Sequence, residues 1–241
     1  MPRVNHVLKP LSSRDYFSGL LERPATVIHH GIDTETFTPA ADHAALRRRL
    51  GLPQDGLLVG CYGRIRDGKG TGDFVQAMIA LVPKRPHVTA LVMGRATRKH
   101  QAYLAELQRQ VAAAGLSHSI RFLPEVPVDC MADWYRVLDL YVAPQRWEGF
   151  GLTPLEAMAS GVPVVATRVG AFQEPVTSQT GSLIAPQDPV EMAETVAAWL
   201  DDTARLSRAG QAARRHVQTN HTIETEARAL VAVYEQLLEK Q

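Results

Sequence analysis

Short apolar segments alternate with longer amphipathic segments along most of this chain, and this alternation constrains the possible folds more than any other feature. The apolar segments are predicted strands, at Ala25–His29, Leu57–Tyr62, Val88–Met93, Ser119–Leu123, Leu138–Ala143, Pro163–Thr167 and Ser182–Ile184. The amphipathic segments are predicted helices, at Asp42–Leu50, Gly70–Val82, Lys99–Ala114, Met131–Val137, Thr153–Ser160, Pro189–Leu200, Thr203–Val217 and Thr222–Lys240. Strands that alternate with helices are typical of βαβ units. We therefore expect an α/β fold, a Rossmann-like parallel sheet with helices on both faces.

The pattern also predicts how the chain is organised. The run Val162–Val165 is continuously apolar, as expected for a strand that is covered on both faces. Gly51 and Gly115 follow two predicted helix ends, where a left-handed residue often closes a helix. We expect one Rossmann-like domain over residues 25–220, preceded by an N-terminal stub over residues 1–24. Residues 221–241 are expected to form a C-terminal helix that packs apart from the sheet.

Charge and cysteine content argue against several functional classes. The 26 Lys and Arg are balanced by 25 Asp and Glu, so the chain lacks the basic excess of a nucleic-acid-binding protein. Cys61 and Cys130 lie among apolar residues without metal-ligand spacing, so both are expected to be buried free thiols. The apolar runs are too short to span a bilayer, and residues 1–10 lack the apolar core of a secretory signal. A cytoplasmic protein is expected.

The loop after the predicted strand Leu57–Tyr62 has the character of an anion site. Residues 60–72 contain five glycines, which leave backbone N–H groups accessible, and Arg64 and Lys69 add two positive charges. Gly63 to Lys69 matches most of a Walker A loop. However, Gly70 stands where that loop needs a Ser or Thr to hold magnesium, so a nucleoside triphosphatase is disfavoured.

A second loop, residues 144–152, follows the strand that ends at Ala143 and opens a helix. Thr153, Pro154 and Glu156 have the spacing of a helix N-cap, first-turn proline and capping-box acid. The helix N-terminus would also favour a phosphate. Glu156 is therefore either a helix cap or a ligand-binding residue.

Three further residues of the second loop have ordinary structural interpretations. Glu148 is either a solvated loop acid or part of the site. Trp147 and Phe150 are expected to pack beneath the loop. Elsewhere, the basic run Arg47–Arg49 is expected to be a solvated helix face, and His29 and His30 are expected to be structural, hydrogen-bonded residues.

The residues of these two loops resemble a known family. The run from Glu148 to Ala166 resembles the Glu-x7-Glu signature of the retaining glycosyltransferases of family 4, and Gly63–Gly70 is similar to that family's donor-phosphate loop. The segment His30–Phe37 resembles the start of the family's C-terminal domain. The resemblance covers residues 25–241. The sequence of residues 143–151 most resembles that of the mannosyltransferases of the bacterial lipopolysaccharide core, although Gln145 stands where the family often has Ser.

The resemblance implies a GT-B fold, in which two Rossmann-like domains face each other across a cleft. This chain would be the C-terminal, donor-binding half. Because only 24 residues precede residue 25, the acceptor-binding domain is expected to be absent, and the chain alone is expected to be inactive. The alternative is a non-catalytic nucleotide-binding or assembly module.

The resemblance also implies roles for individual residues. Arg64 and Lys69 would hold the donor diphosphate beside Gly63, and Glu148 would lie near the transferred sugar, so these three charged residues are the catalytic candidates. Glu156 would bind the ribose hydroxyls. The other expected donor contacts are Gly149, Phe150, Gly151 and Leu152, at the sugar and phosphate, and Val126 of the segment 124–126, at the base.

The resemblance further implies a substrate, an acceptor and a location. The donor would be GDP-mannose, bound without a metal ion. The acceptor would be a glycan or glycolipid, and the full enzyme would be peripheral at the inner face of the cytoplasmic membrane.

Overall fold

A computed structural model describes residues 6–8 and 25–239 of the chain. Its main sheet has six strands, all parallel, in the order β5-β4-β3-β6-β7-β8. These strands are β3 (Leu57–Tyr62), β4 (Val88–Met93), β5 (Ile120–Leu123), β6 (Leu140–Ala143), β7 (Val164–Thr167) and β8 (Gly181–Ile184). The predicted α/β fold with a Rossmann-like parallel sheet is confirmed.

Eight α-helices are described, and most of them connect or follow these strands. They are α1 (His43–Arg49), α2 (Thr71–Leu81), α3 (Gln101–Ala113), α4 (Met131–Arg136), α5 (Leu152–Ala159), α6 (Pro189–Leu200), α7 (Thr203–Asn220) and α8 (Ile223–Leu238). Most predicted bounds lie within two residues of these, while α7 runs three residues farther than predicted. Gly51 and Gly115 have φ values of 66° and 71°, so their predicted left-handed conformation is confirmed.

The core has two layers because strand side chains alternate between the faces of the sheet. In β3, Val59 and Cys61 point to one face, which is covered by α2, α3 and α6. Leu58 and Tyr62 point to the other face, which is covered by α1, α4, α5 and α7. Helices therefore cover both faces of the sheet, as the continuous apolar strand patterns predicted.

The strand predicted at Ala25–His29 does not join the main sheet. The observed strand, β2 (Ala25–Val27), pairs in parallel with β1 (His6–Leu8) as a separate two-stranded sheet. His29 and His30 follow this strand, and His29 Nδ1 lies 3.0 Å from Glu174 Oε2. Apart from residues 6–8, the predicted stub over residues 1–24 lies outside the described residues.

Outside the two loops, two expectations about side-chain exposure were wrong at one residue each, while Arg48 and Arg49 are exposed as predicted. Arg47 is not on a solvated face but is 3% exposed, because its guanidinium donates to the Val137 and Gly56 carbonyl oxygens and to Asp139. Cys61 is buried as predicted, whereas Cys130 is exposed, since it lies in the turn before α4 rather than in a strand.

Helix α8 contributes little to the core. Of its residues only Val233 is buried, and Ile223, Val231, Tyr234 and Leu238 are exposed. The helix is attached near its start, where the Ile32 N–H donates to the His221 carbonyl oxygen at 2.7 Å and the Gly31 N–H donates to Glu226 Oε2 at 2.7 Å.

The order of the strands determines where a ligand can bind. Counted from β3, the order is that of the doubly wound nucleotide-binding fold, and it reverses between β3 and β6. In such sheets ligands bind beyond the carboxyl ends of the two strands at this switch point. The loops that leave β3 and β6 are the two loops that the sequence singled out.

Candidate functional site

The two loops at the switch point are in direct backbone contact. The Arg146 N–H donates to the Gly68 carbonyl oxygen at 3.2 Å. Gly70 has φ 68°, and a Cβ atom there would lie 1.8 Å from the Pro144 carbonyl oxygen. The residue that departs from the Walker A pattern is therefore a glycine for a steric reason, since no side chain fits between the loops.

An ion pair joins the charged residues of the two loops. Lys69 Nζ lies 2.5 Å from Glu148 Oε2, and both side chains are largely buried. The other carboxylate oxygen, Oε1, accepts the N–H of Gly149 at 3.1 Å. Glu148 is thus not a solvated loop acid. It is held facing the glycine-rich loop, as a residue of a binding site would be.

The backbone at Glu148 is fixed from a third loop, which follows β7. The Glu148 carbonyl oxygen accepts the N–H of Ala171 at 3.1 Å. A Cβ atom on Gly170 would lie 1.9 Å from that oxygen, and Gly170 has φ 46°. Three strand ends therefore contribute to the position of one carboxylate.

A cavity of about 220 Å³ opens beside these loops. Of the predicted donor residues, Gly63, Arg64, Val126 and Glu156 line it, together with the ion-paired residues Arg95 and Glu125. Lys69 lies outside this lining but borders an adjacent smaller pocket that also includes Gly63 and Arg64. The structure thus brings the predicted phosphate-binding and nucleoside-binding residues to one edge of the sheet.

The predicted capping box at Thr153–Glu156 was wrong. Helix α5 begins at Leu152, its N-cap is Gly151 in the left-handed conformation at φ 75°, and no side chain caps it. Thr153 therefore lies inside the first turn, and Glu156 is two positions too far along to be the capping acid. Glu156 therefore does not cap this helix, and the role of its carboxylate must be a different one.

Glu156 borders the cavity and is mostly buried. Burial raises the pKa of its carboxyl group above the usual value, and the hydroxyl of Tyr135 partly opposes that rise. A carboxylate in this position can accept hydrogen bonds from hydroxyl groups of a ligand.

The remaining predicted donor residues lie along the second loop and do not line the cavity. Trp147 and Phe150 were expected to pack beneath this loop, but they are 71% and 57% exposed. The ring centroid of Phe150 lies 5.1 Å from that of His30. Leu152 is also exposed. Phe150 and Leu152 are thus exposed, whereas Gly149 and Gly151 between Glu148 and Glu156 are buried.

Arg146 was not predicted from the sequence as a site residue, although it holds the glycine-rich loop through ion pairs. Its guanidinium lies 2.5 Å from Asp67 of that loop and 3.4 Å from the buried Asp73 at the start of α2. The sequence did indicate a need for such a residue. Asp67 and Asp73 flank the glycines, and without a nearby cation they would place negative charge beside an anion site. Arg146 neutralises them and leaves Arg64, for which no acidic partner is present among the described residues, available to an anion.

Two structural findings bear on other kinds of site. Within residues 6–8 and 25–239, no group of three or more His, Cys, Asp or Glu is placed to hold a metal ion. None of the helices in the same ranges is long and apolar enough to cross a membrane.

Residues 56–202 match the model of the family described as glycosyl transferases group 1. The chain belongs to this family. The matched region begins at β3 and ends between α6 and α7, so it contains both loops at the switch point.

Two curated relatives of this group 1 chain are named as mannosyltransferases of lipopolysaccharide core biosynthesis. LpsB of Rhizobium meliloti (strain 1021) is 52% identical over 224 residues, which are 90% of this chain and 62% of that protein. LpcC of Rhizobium leguminosarum bv. viciae is 47% identical over 229 residues, which are 95% of this chain and 64% of that protein. The chain thus spans less than two thirds of the length of these relatives.

Solved structures match the same group 1 fold. The C-terminal domain of the group 1 protein LpcC from Francisella tularensis superposes with a TM-score of 0.76 and 34% identity, covering 80% of this chain and 100% of that chain. HepE of Anabaena, solved with UDP, superposes with a TM-score of 0.88 and 24% identity, covering 95% of this chain and 63% of that chain, and shows the fold alone. The predicted architecture, the C-terminal half of a GT-B glycosyltransferase, is confirmed.

Proposed function

We propose that this chain binds the nucleotide-sugar donor of a retaining glycosyltransferase of family 4, which transfers mannose from GDP-mannose to a glycan or glycolipid of the lipopolysaccharide core. The single observation that carries this proposal is the contact between Lys69 and Glu148 beside the cavity lined by Arg64 and Glu156. The named mannosyltransferases among the relatives support the choice of sugar.

The chemistry of glycosyl transfer fits the charges at this edge. When the bond between the sugar and the nucleotide breaks, negative charge grows on the leaving phosphate. Arg64 and Lys69 would stabilise that charge without a metal ion. The side chains would do this rather than the backbone, because the N–H groups of Gly63, Gly70 and Gly72 already donate to protein oxygens. Glu148, held 2.5 Å from Lys69, would then lie near the sugar that acquires positive charge.

The size of the cavity favours a donor site in which the nucleoside is enclosed and the diphosphate and sugar lie outside the cavity. A volume of about 220 Å³ is smaller than the roughly 300–1,000 Å³ of sites that enclose a whole small molecule. The cavity would hold the nucleoside, with the ribose at Glu156 and the base at Val126. The diphosphate and sugar would lie in the open along Gly149–Leu152, where a facing domain covers them in a complete enzyme.

The domain assignment follows from the same proposal. Residues 25–220 would form the donor domain, and residues 221–241 would carry the helix that braces the acceptor-binding domain, because the exposed apolar side chains of α8 are unsuited to water. The complete enzyme would work in the cytoplasm, at the inner face of the membrane.

Calorimetric titration with GDP, UDP, ADP and guanosine tests the proposal. GDP should bind most tightly, and Arg64→Ala and Lys69→Ala should each weaken GDP binding by about 10- to 100-fold, since a charge-assisted contact is worth roughly 1.5–3 kcal/mol. Lys84→Ala, at an exposed site on another face, is the matched control. Guanosine should be indifferent to all three changes. Equal losses for guanosine and GDP would place Arg64 and Lys69 away from the phosphates.

A further inference from the structure

The loops that follow β4 and β5 leave the sheet side by side. The two strands pair in register up to Met93 with Leu123, and the Gly94 N–H then donates to the Leu123 carbonyl oxygen at 3.2 Å. Arg95 and Glu125 each stand two residues beyond this last pair. Their side chains meet as an ion pair, with Arg95 Nη1 3.3 Å from Glu125 Oε1. The strand register therefore places a cation and a carboxylate next to each other at this edge of the sheet.

The backbone at Arg95 is also fixed against the glycine-rich loop. The Ile65 N–H donates to the Arg95 carbonyl oxygen at 3.0 Å. Gly94 has φ 150°, and a Cβ atom there would lie 1.8 Å from the Gly63 carbonyl oxygen. The ion pair thus has a defined position relative to the loop that is proposed to bind the diphosphate.

The ion pair between Arg95 and Glu125 is available to a ligand. Their side chains are 68% and 55% exposed, and an ion pair between such exposed groups adds little to stability. Both residues nevertheless border the cavity of about 220 Å³, beside the apolar side chains of Val126 and Met131. The cavity therefore combines apolar surface, on which a flat ring can pack, with a cation and a carboxylate that can bind polar atoms at the edge of that ring.

We propose that Arg95 and Glu125 together recognise the base of the nucleotide and select guanine. This inference rests on the proposed function, which places the base in this cavity. Along the edge of guanine, the acceptors N7 and O6 adjoin the donors N1–H and the 2-amino group. A guanidinium can donate to N7 and O6, while a carboxylate accepts from N1–H and the amino group. A cation and a carboxylate in contact with each other match these adjoining groups.

The same two side chains disfavour the other bases. Uracil offers O4 to the guanidinium and N3–H to the carboxylate, but its second carbonyl oxygen faces the carboxylate where guanine has an amino group. Adenine has an amino group in place of O6 and a lone pair in place of N1–H, so donor meets donor and acceptor meets acceptor. Such mismatched groups discriminate against a ligand. Among nucleoside diphosphates, we expect affinity to decrease from GDP to IDP, which lacks the 2-amino group, and then to UDP and ADP.

Calorimetric titration of Glu125→Gln and Arg95→Gln with GDP, IDP and UDP tests the inference. Glu125→Gln should weaken GDP binding by about 5- to 10-fold, the lower part of the range for a bidentate base contact, because the carboxylate is half exposed. It should weaken IDP binding less, since IDP has no amino group to lose a partner, and it should not weaken UDP binding. Arg95→Gln should weaken GDP and IDP binding alike, because both keep O6 and N7. Arg95→Lys should recover part of that loss.

Asp129→Asn is the matched control. Asp129 is an exposed carboxylate of the loop that contains Glu125, and it does not border the cavity. The change should leave the affinities for GDP, IDP and UDP as they are in the unchanged chain.

The outcomes separate a failure of this inference from a failure of the proposed function. If the unchanged chain binds GDP no more tightly than UDP and ADP, the proposed GDP-mannose donor is wrong and the inference fails with it. If the unchanged chain prefers GDP but Glu125→Gln and Arg95→Gln keep that preference, only the role of this ion pair is overturned. A loss of the preference in Asp129→Asn, or equal losses of GDP and UDP affinity in Glu125→Gln, would overturn it as well.

Discussion

Lys69 and Glu148 contact each other, with Nζ 2.5 Å from Oε2, although both are proposed to serve the donor. The ammonium group is therefore already neutralised before a diphosphate arrives. To bind phosphate, Lys69 must exchange its carboxylate partner, and the free energy of that exchange is subtracted from the affinity. In the proposed site, Glu148 would therefore compete with the phosphate for Lys69 as well as lie near the sugar.

Glu148→Gln should accordingly strengthen the binding of GDP. An amide does not neutralise Lys69, so affinity should rise by about 2- to 5-fold, the scale of a partly exposed ion pair. Calorimetry on the single variant and on Lys69→Ala with Glu148→Gln measures this. The double variant should show no gain. A gain that persists without Lys69 would mean that Glu148 repels the phosphate directly.

Arg146→Ala should loosen the glycine-rich loop without removing a ligand contact. Asp67 and Asp73 would then lie unneutralised beside the anion site, so GDP affinity should fall by about 3- to 10-fold, while guanosine affinity should hold. The matched control is Arg85→Ala, which breaks a bidentate pair with Asp201 elsewhere on the surface. Arg146→Lys should recover part of the loss. Equal effects of Arg146→Ala and Arg85→Ala on GDP would contradict the assignment.

Gly70→Ala should destabilise the fold strongly. The residue has φ 68°, and a Cβ atom would lie 1.8 Å from the Pro144 carbonyl oxygen, so the two loops must separate. We expect a loss of about 2 kcal/mol or more in the free energy of unfolding, measured by denaturant titration. Gly68→Ala is the control in the same loop, because nothing lies within 4 Å of its Cβ position. Similar losses at both positions would show that the steric argument is wrong.

His221 should make the stability of the chain depend on pH. Burial, and to a smaller extent the neighbouring His216 and His29, lowers the pKa of its imidazole to about 4. Between pH 6.5 and pH 4 the unfolded chain binds a proton that the folded chain does not, so the free energy of unfolding falls as the pH drops. The contribution should be roughly 2 kcal/mol from pH 6.5 to pH 5.

Denaturant titration of His221→Gln at several pH values checks this. The variant should lose part of the pH dependence in that range, whatever its stability at pH 7. His118→Gln, at an exposed site, should keep the pH dependence of the unchanged chain. If the two variants behave alike, the protonation of another group controls the acid sensitivity.

The sequence predicted the sheet well because strand burial leaves a strong local pattern. Val162–Val165 and the other apolar runs define the strands without any knowledge of their partners. The positions of β1 and β2 were less predictable, since the pairing of residues 6–8 with 25–27 depends on a contact between distant parts of the chain. The same limit explains Arg47, whose burial depends on carbonyl groups of residues 56 and 137.

The sequence predicted which two loops form the candidate site but not several of the contacts within it. Glycine spacing and charge indicated both loops, because these properties are visible residue by residue. The cap of α5 was assigned wrongly, since Thr153 is a good N-cap in isolation but Gly151 adopts the required left-handed turn. The exposure of Trp147 and the role of Arg146 depend on how three loops pack together, which local sequence does not contain.

The pairing of β3 with β6 has a consequence for ligand binding. β3 pairs with β4 over six residues but with β6 over only two, Val59 with Leu140 and Gly60 with Tyr141. The two halves of the sheet thus meet along a short ladder, here called the seam, which the Asp139 N–H extends by donating to the Leu58 carbonyl oxygen at 2.9 Å. The proposed nucleotide site lies across that seam. A bound nucleotide would act as a cross-link between the halves. Hydrogen–deuterium exchange should therefore slow along the backbone amides of the seam when the ligand binds, even at amides that the ligand does not touch.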